Sequence, residues 1–157
     1  NPNEMWHAKP WNELTRDEWH GLLRLRVDVF VVEQDCPYSE LDGKDLRAWH
    51  VWAGSEDVSK GAPMLACARV LAPGVSYAEP SIGRVATRRD QRGQGLGKEL
   101  MERSIAVCQQ TWPDQAIRIS AQCYLEEWYA ELGFEPVGES YLEDDIPHIQ
   151  MLRSGTL

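Results

Sequence analysis

The sequence predicts an α/β (mixed α+β) domain: a central, mixed and mostly antiparallel twisted sheet of about six or seven strands with helices on both faces. Three observations predict it. A capped amphipathic helix comes early, a series of short apolar runs bounded by turn residues follows, and two helical stretches interrupt those runs. Helices inserted between strands of one sheet must cross over its faces, which is why both faces are expected to be covered.

The elements follow in order. Thr15-Arg16-Asp17-Glu18 is a capping box, in which the Thr15 hydroxyl accepts from the Glu18 amide and the Glu18 carboxylate accepts from the Thr15 amide. A helix starts there, with Leu14 and Trp19 at the two positions of a hydrophobic staple. Trp19, Leu22, Leu23, Val27 and Phe30 are expected to face the core. Around Cys36-Pro37-Tyr38 and Leu41-Asp42-Gly43 the periodicity breaks into a loop. His50 to Ala53 and Met64 to Leu71 read as adjacent antiparallel strands joined by a polar, glycine-containing turn, and Pro73-Gly74 ends the second. Ser81 to Thr87 is another strand, running directly into Arg88-Arg89-Asp90-Gln91 and a glycine cluster. From Leu96 a helix presents Leu96, Leu100, Met101, Ile105 and Cys108 on one face, and Trp112-Pro113 closes it. Ala116 to Ala121 is a strand, Tyr124 to Leu132 a short helix stopped by Gly133, and Phe134 to Gly138 and Ile146 to Leu152 the final strands.

Composition bounds the function. The 157 residues are 43% apolar and 26% charged, which is globular composition for one domain. A net charge of -9 disfavours nucleic acid, whose phosphates the overall field repels. No apolar run approaches the roughly 20 residues that span a bilayer, and no basic-then-apolar export signal begins the chain. A cytoplasmic protein without a membrane partner is expected. Asn1 to Glu4 read as an appended remnant ahead of Met5-Trp6-His7, with residues 5–157 as the single domain. Cys36, Cys67, Cys108 and Cys123 form no C-x-x-C pair and are expected to be reduced thiols. His7, His20, His50 and His148 show no ligand spacing, so no metal is expected.

The densest chemical signal is Arg92-Gly93-Gln94-Gly95-Leu96-Gly97-Lys98 between a strand and a helix. That order aims unpaired backbone N–H groups and the positive end of a helix dipole at one point, and glycines let a phosphate approach them. Arg88, Arg89, Arg92 and Lys98 concentrate positive charge in an otherwise acidic chain. A P-loop needs Gly-x4-Gly-Lys-Ser/Thr, whereas Glu99 follows Lys98 here; a dinucleotide fingerprint needs G-x-G-x-x-G, whereas the loop reads G-x-G-x-G. Two readings stand at this point: a site for a multiply phosphorylated ligand, or a glycine turn with a solvated basic face.

The same segment matches the coenzyme motif Gln/Arg-x-x-Gly-x-Gly/Ala of the GNAT N-acetyltransferases, and Val85-Ala86-Thr87 resembles that superfamily's fourth strand. Trp128-Tyr129-Ala130-Glu131-Leu132-Gly133-Phe134 resembles its second signature. Arg26 to Tyr38 and Glu143 to Ile149 look like the ElaA family of small bacterial acetyltransferases, a resemblance spanning nearly the whole chain. It implies splayed fourth and fifth strands that admit the pantetheine arm of acetyl-CoA. The implied coenzyme residues are Val85, Ala86, Thr87, Arg92, Gly93, Gln94, Gly95, Leu96, Gly97, Lys98, Gln122 and Tyr129, with the Val85 N–H donating to the thioester carbonyl.

The resemblance makes Tyr129 the acid that protonates the departing sulfur; the competing reading is an amphipathic aromatic packed at a helix end. Many relatives place a glutamate base where Gly83, Arg84 and Val85 stand, so a water chain is one candidate for that role here. Glu33 could bind or deprotonate an ammonium, or be a solvated helix-end charge. His148 could be the base, or a turn histidine. Asp42 and Asp45 join Glu33 as acids near the acceptor side, so a cationic amine of a small molecule or peptide is the expected acceptor, with a monomer or homodimer as the assembly. A non-catalytic acyl-CoA-binding module and an acyltransferase for longer chains, as among autoinducer synthases, remain as alternatives.

Overall fold

The computed structural model describes residues 5–54 and 61–155. The expected remnant Asn1 to Glu4 and the middle of the turn after residue 54 lie outside the described residues.

A strand opens the fold, not the helix that periodicity put first. Strand β1 (Trp6–Pro10) pairs antiparallel with β2 (Ala48–Gly54), Trp6 opposite Ala53 and Pro10 opposite Trp49. Five residues with one proline carry no readable alternation; the partner strand supplies the reason for extension. Pro10 is tolerated because β1 lies at the sheet edge.

Helix α1 (Arg16–Arg26) begins at the expected capping box, with both reciprocal hydrogen bonds formed. It continues as π-helical turns over Val27–Glu33. Its buried line is Leu22, Leu25, Arg26 and Val29, while Leu23 and Val27 of the expected stripe are only half-buried. The face is rotated because Arg26, a charged residue, is drawn inward by two carboxylates.

Strands β3 (Met64–Leu71), β4 (Ser81–Thr87), β5 (Ile117–Gln122), β6 (Phe134–Glu143) and β7 (Ile146–Arg153) complete a seven-stranded sheet of order β1-β2-β3-β4-β5-β7-β6. Every adjacent pair is antiparallel except β4 and β5, which are parallel. Helix α2 (Leu96–Thr111) packs Leu100, Met101, Ile105 and Cys108 against Val51, Ala53, Ala66, Ala68, Val70 and Ile82 on one face. On the other, Leu22, Leu25 and Val29 of α1 pack against Trp52, Met64, Cys67 and Ala86. The short α3 (Glu126–Ala130) brings Tyr129 into the α2-side core beside Phe134. Both faces therefore carry helices, as expected. None of the described helices is long and apolar enough to cross a membrane. All four cysteines are free; burial pushes the Cys67 and Cys108 thiols up to about 12, so they pack as small apolar groups.

Strand β4 turns over in its middle. Ile82 joins the α2-side core and Ala86 the α1-side core, although residues four apart on a regular strand share a face. Between them the register with β3 shifts, and Arg84 adopts a left-handed φ of 50°. Beyond the Ser81–Arg118 pair no further β4–β5 register partner follows among the described residues, so the two strands part.

A buried ionic network holds this region. Arg26 Nη1 lies 2.7 Å from Asp45 Oδ1 and its Nε 2.6 Å from Glu40 Oε2. Arg69 Nη1 meets Asp42 at 2.7 Å and Asp45 at 3.1 Å, and Arg84 Nε meets Glu40 at 2.9 Å. Burial opposes the Asp45 charge, yet the Arg26 and Arg69 guanidiniums hold its carboxyl below the ordinary range. At Asp42 burial is likewise outweighed, by Arg69 and then Arg84, and the carboxyl falls to about 2.

Removing one member leaves buried charges unpaired, so Asp45→Ala is expected to cost about 3–5 kcal/mol in urea unfolding. Both carboxyls bind protons more weakly folded than unfolded. Their stabilisation is therefore complete above the ordinary value of 3.8 and is expected to drain away as pH falls through about 2, measured as unfolding free energy against pH.

Candidate active site

The glycine segment leaves β4 through a single 3-10 turn (Arg89–Gln91) and bends at Gly93 and Gly95, with φ of 82° and 78°. Gly95 is the N-cap of α2, and its carbonyl accepts the first helical bond, from the Glu99 amide at 3.2 Å. The Leu96, Gly97 and Lys98 amides precede that bond and have no helical acceptor. A Cβ at Gly93 or Gly95 would meet nothing within 4 Å, so backbone conformation, not crowding, demands glycine there. The outer side of the loop is open to an anion.

Arg92 is folded back onto the protein. Its Nε and Nη2 donate to the Thr87 carbonyl at 3.2 and 3.0 Å, and its Nη1 lies 2.6 Å from Glu33 Oε2. Arg92 thus orders the loop by tying the end of β4 to the end of the π turns, and Glu33 is its partner. Glu33 lines a cleft of about 380 Å³ beside Arg88 and Arg89, away from Tyr129 and His148. Ala86 is buried in the α1-side core.

A second cleft, of about 440 Å³, opens where β4 and β5 part, and it brings Val85, Gln122, Tyr129 and His148 together. Tyr129 is buried at 7% exposure, with its ring edge-on to Trp128 and Phe134 at 4.9 and 6.0 Å. Burial raises its phenol above the ordinary value, with Tyr124 adding to the shift, so the hydroxyl stays protonated. His148 Nδ1 lies 2.6 Å from the Ile146 carbonyl, and its Nε2 3.3 Å from Glu143 Oε2. The Tyr141 ring stacks on the imidazole at 6.2 Å, and the Tyr141 hydroxyl is hydrogen-bonded to Ser120.

The expected acidic wall is different in kind. Asp42 and Asp45 are ion-paired to arginines, so they contribute little net field; Glu143 and Asp144 of the β6–β7 turn are the cleft acids outside that network. Sequence reasoning missed Glu40 as the shared partner of Arg26 and Arg84, and missed the Ser120–Tyr141 contact. Gly83 inside a strand pattern was the available signal of the irregularity at Arg84.

Comparison with known proteins agrees with this geometry. The family described as Acetyltransferase (GNAT) domain matches residues 67–154. Protein ElaA of Escherichia coli is 38% identical over 150 residues, covering 94% of this chain and 95% of that protein. The crystal structure of an acyl-CoA N-acyltransferase from Pseudomonas aeruginosa superposes with a TM-score of 0.88 at 44% identity, covering 95% of this chain and 98% of that one. The crystal structure of Escherichia coli ElaA gives a TM-score of 0.86 at 37% identity, over 95% and 98% of the two chains.

Gly95→Val forces a β-branched side chain into the left-handed region, at about 1–2 kcal/mol, and displaces the first amides of α2. Loss of coenzyme A binding in calorimetry, with cooperative unfolding retained, is the expected outcome.

Proposed function

Because the chain belongs to the GNAT acetyltransferase family, we propose that it transfers an acetyl group from acetyl-CoA to a primary amine of a cationic small molecule or peptide, by direct attack in a ternary complex. One observation carries this reading: β4, which leads into the glycine segment, parts from β5 over a cleft that holds a buried, protonated tyrosine.

The Leu96, Gly97 and Lys98 amides would take the coenzyme pyrophosphate, with the α2 dipole favouring its charge. The unpaired edge of β4 beyond Ser81 offers backbone groups to an extended amide-bearing arm, as a missing strand would. Within that edge the Val85 N–H donates to the thioester carbonyl, whose oxygen gains charge as the amine attacks. Tyr129, held neutral by burial, gives its proton to the sulfur as the C–S bond breaks. Glu143 and Asp144 at the cleft favour an ammonium over a carboxylate.

Free thiol release from acetyl-CoA and longer acyl-CoAs, measured with polyamines, amino acids and peptide N-termini, tests the reading. Acceptor-stimulated release with acetyl-CoA supports it; tight coenzyme binding without release overturns it. Tyr129→Phe is expected to lower kcat by about 100-fold while calorimetric coenzyme affinity stays within a factor of a few.

A further inference from the structure

The β6–β7 turn carries a second device in the same cleft. A backbone carbonyl can only accept a hydrogen bond, so the 2.6 Å contact with Ile146 requires the proton of a neutral His148 to sit on Nδ1. The lone pair is then on Nε2, and Nε2 faces Glu143 Oε2 at 3.3 Å. Two acceptors lie close together, a contact that becomes an ion pair when Nε2 carries a proton. Tyr141 stacks on the imidazole, and Ser120 on β5 holds the Tyr141 hydroxyl. Exposure is divided between the pair, the His148 side chain being 9% exposed and that of Glu143 51%. One member is inside the cleft and the other reaches water.

Resting on the transfer reading above, we propose that His148 Nε2 takes the proton from the acceptor ammonium, and that Glu143 is the positioning residue that balances the imidazolium and passes the proton to solvent. Glu33 is committed to Arg92 and lines a different cleft, whereas His148 lines the cleft that also holds Tyr129. The proton count closes. The ammonium proton goes to Nε2 and leaves through Glu143. The freed lone pair forms the C–N bond as the C–S bond breaks, the sulfur takes the Tyr129 proton, and the second proton shed by the amide nitrogen restores the phenol through water.

The first test needs no acceptor. In the full chain labelled with 15N-histidine, nitrogen shifts at alkaline pH are expected to show His148 as the Nδ1–H tautomer; an Nε2–H tautomer overturns the proposal. With spermidine as probe, His148→Gln is expected to lower thiol release by about 100-fold with coenzyme affinity unchanged. Glu143→Gln should lower it by less, and Glu143→Asp should restore part of it. A wild-type rate in His148→Gln overturns the base assignment even where the tautomer is as expected. Failure of coenzyme A to bind in calorimetry defeats the transfer reading instead, and leaves the tautomer result standing.

Discussion

The reversal of β4 at Arg84 is the constraint on which the rest of the molecule depends. A non-glycine residue at a φ of 50° is disfavoured by about 1–2 kcal/mol. That cost is offset by Glu40, whose carboxylate and carbonyl both accept from the Arg84 guanidinium, at 2.9 and 3.2 Å. Turning the strand over moves its buried side chains from the α2 core at Ile82 to the α1 core at Ala86. It also breaks the parallel ladder with β5 after Ser81. Backbone groups that a continuous sheet would have paired are left facing a gap, and such groups demand a partner.

Glu40 also ties α1 to β4. Its carboxylate sits between Arg26, 1% exposed, and Arg84 at the kink. With Asp42, Asp45 and Arg69 the cluster holds three arginines and three carboxylates, so its charges cancel internally. A chain of net charge -9 thereby presents a nearly neutral wall beside its cleft, and the field felt there comes from the β6–β7 turn. Net charge describes the envelope of a protein; the local field is decided by which charges are already spoken for.

Much of this was legible from the residues. The capping box, the glycine segment, the strand at Ser81 and the helix from Leu96 follow from local chemistry, and local chemistry is what formed them. What escaped depends on partners far along the chain. Strand β1 exists because β2 offers it an edge, and the buried face of α1 is rotated because Arg26 finds Asp45 and Glu40. The Glu33 pairing with Arg92 joins residues whose separation in sequence gives no hint of contact. The resemblance motifs marked Tyr129 and the ElaA-like turn, but not the side chains that tie that turn to β5.

The position of the cleft follows from which half of the sheet each helix covers. Among the described residues, the buried side chains of α1 pack on β2, β3 and β4, and those of β5, β7 and β6 do not join that cluster. On β5 the odd residues Ile117, Ile119 and Ala121 enter the α2-side core, while Ser120 and Gln122 point the other way, into the cleft. His148 pairs with Gln122 on one side and Tyr141 on the other, which places an imidazole on that polar face. Tyr129 reaches the same cleft from the opposite environment, an apolar core that keeps its hydroxyl protonated. Tyr129, carried by α3, is thus anchored in the apolar layer that raises its phenol, whereas His148 stands on the opposite, polar face of the sheet, so the two side chains meet one cleft from different environments.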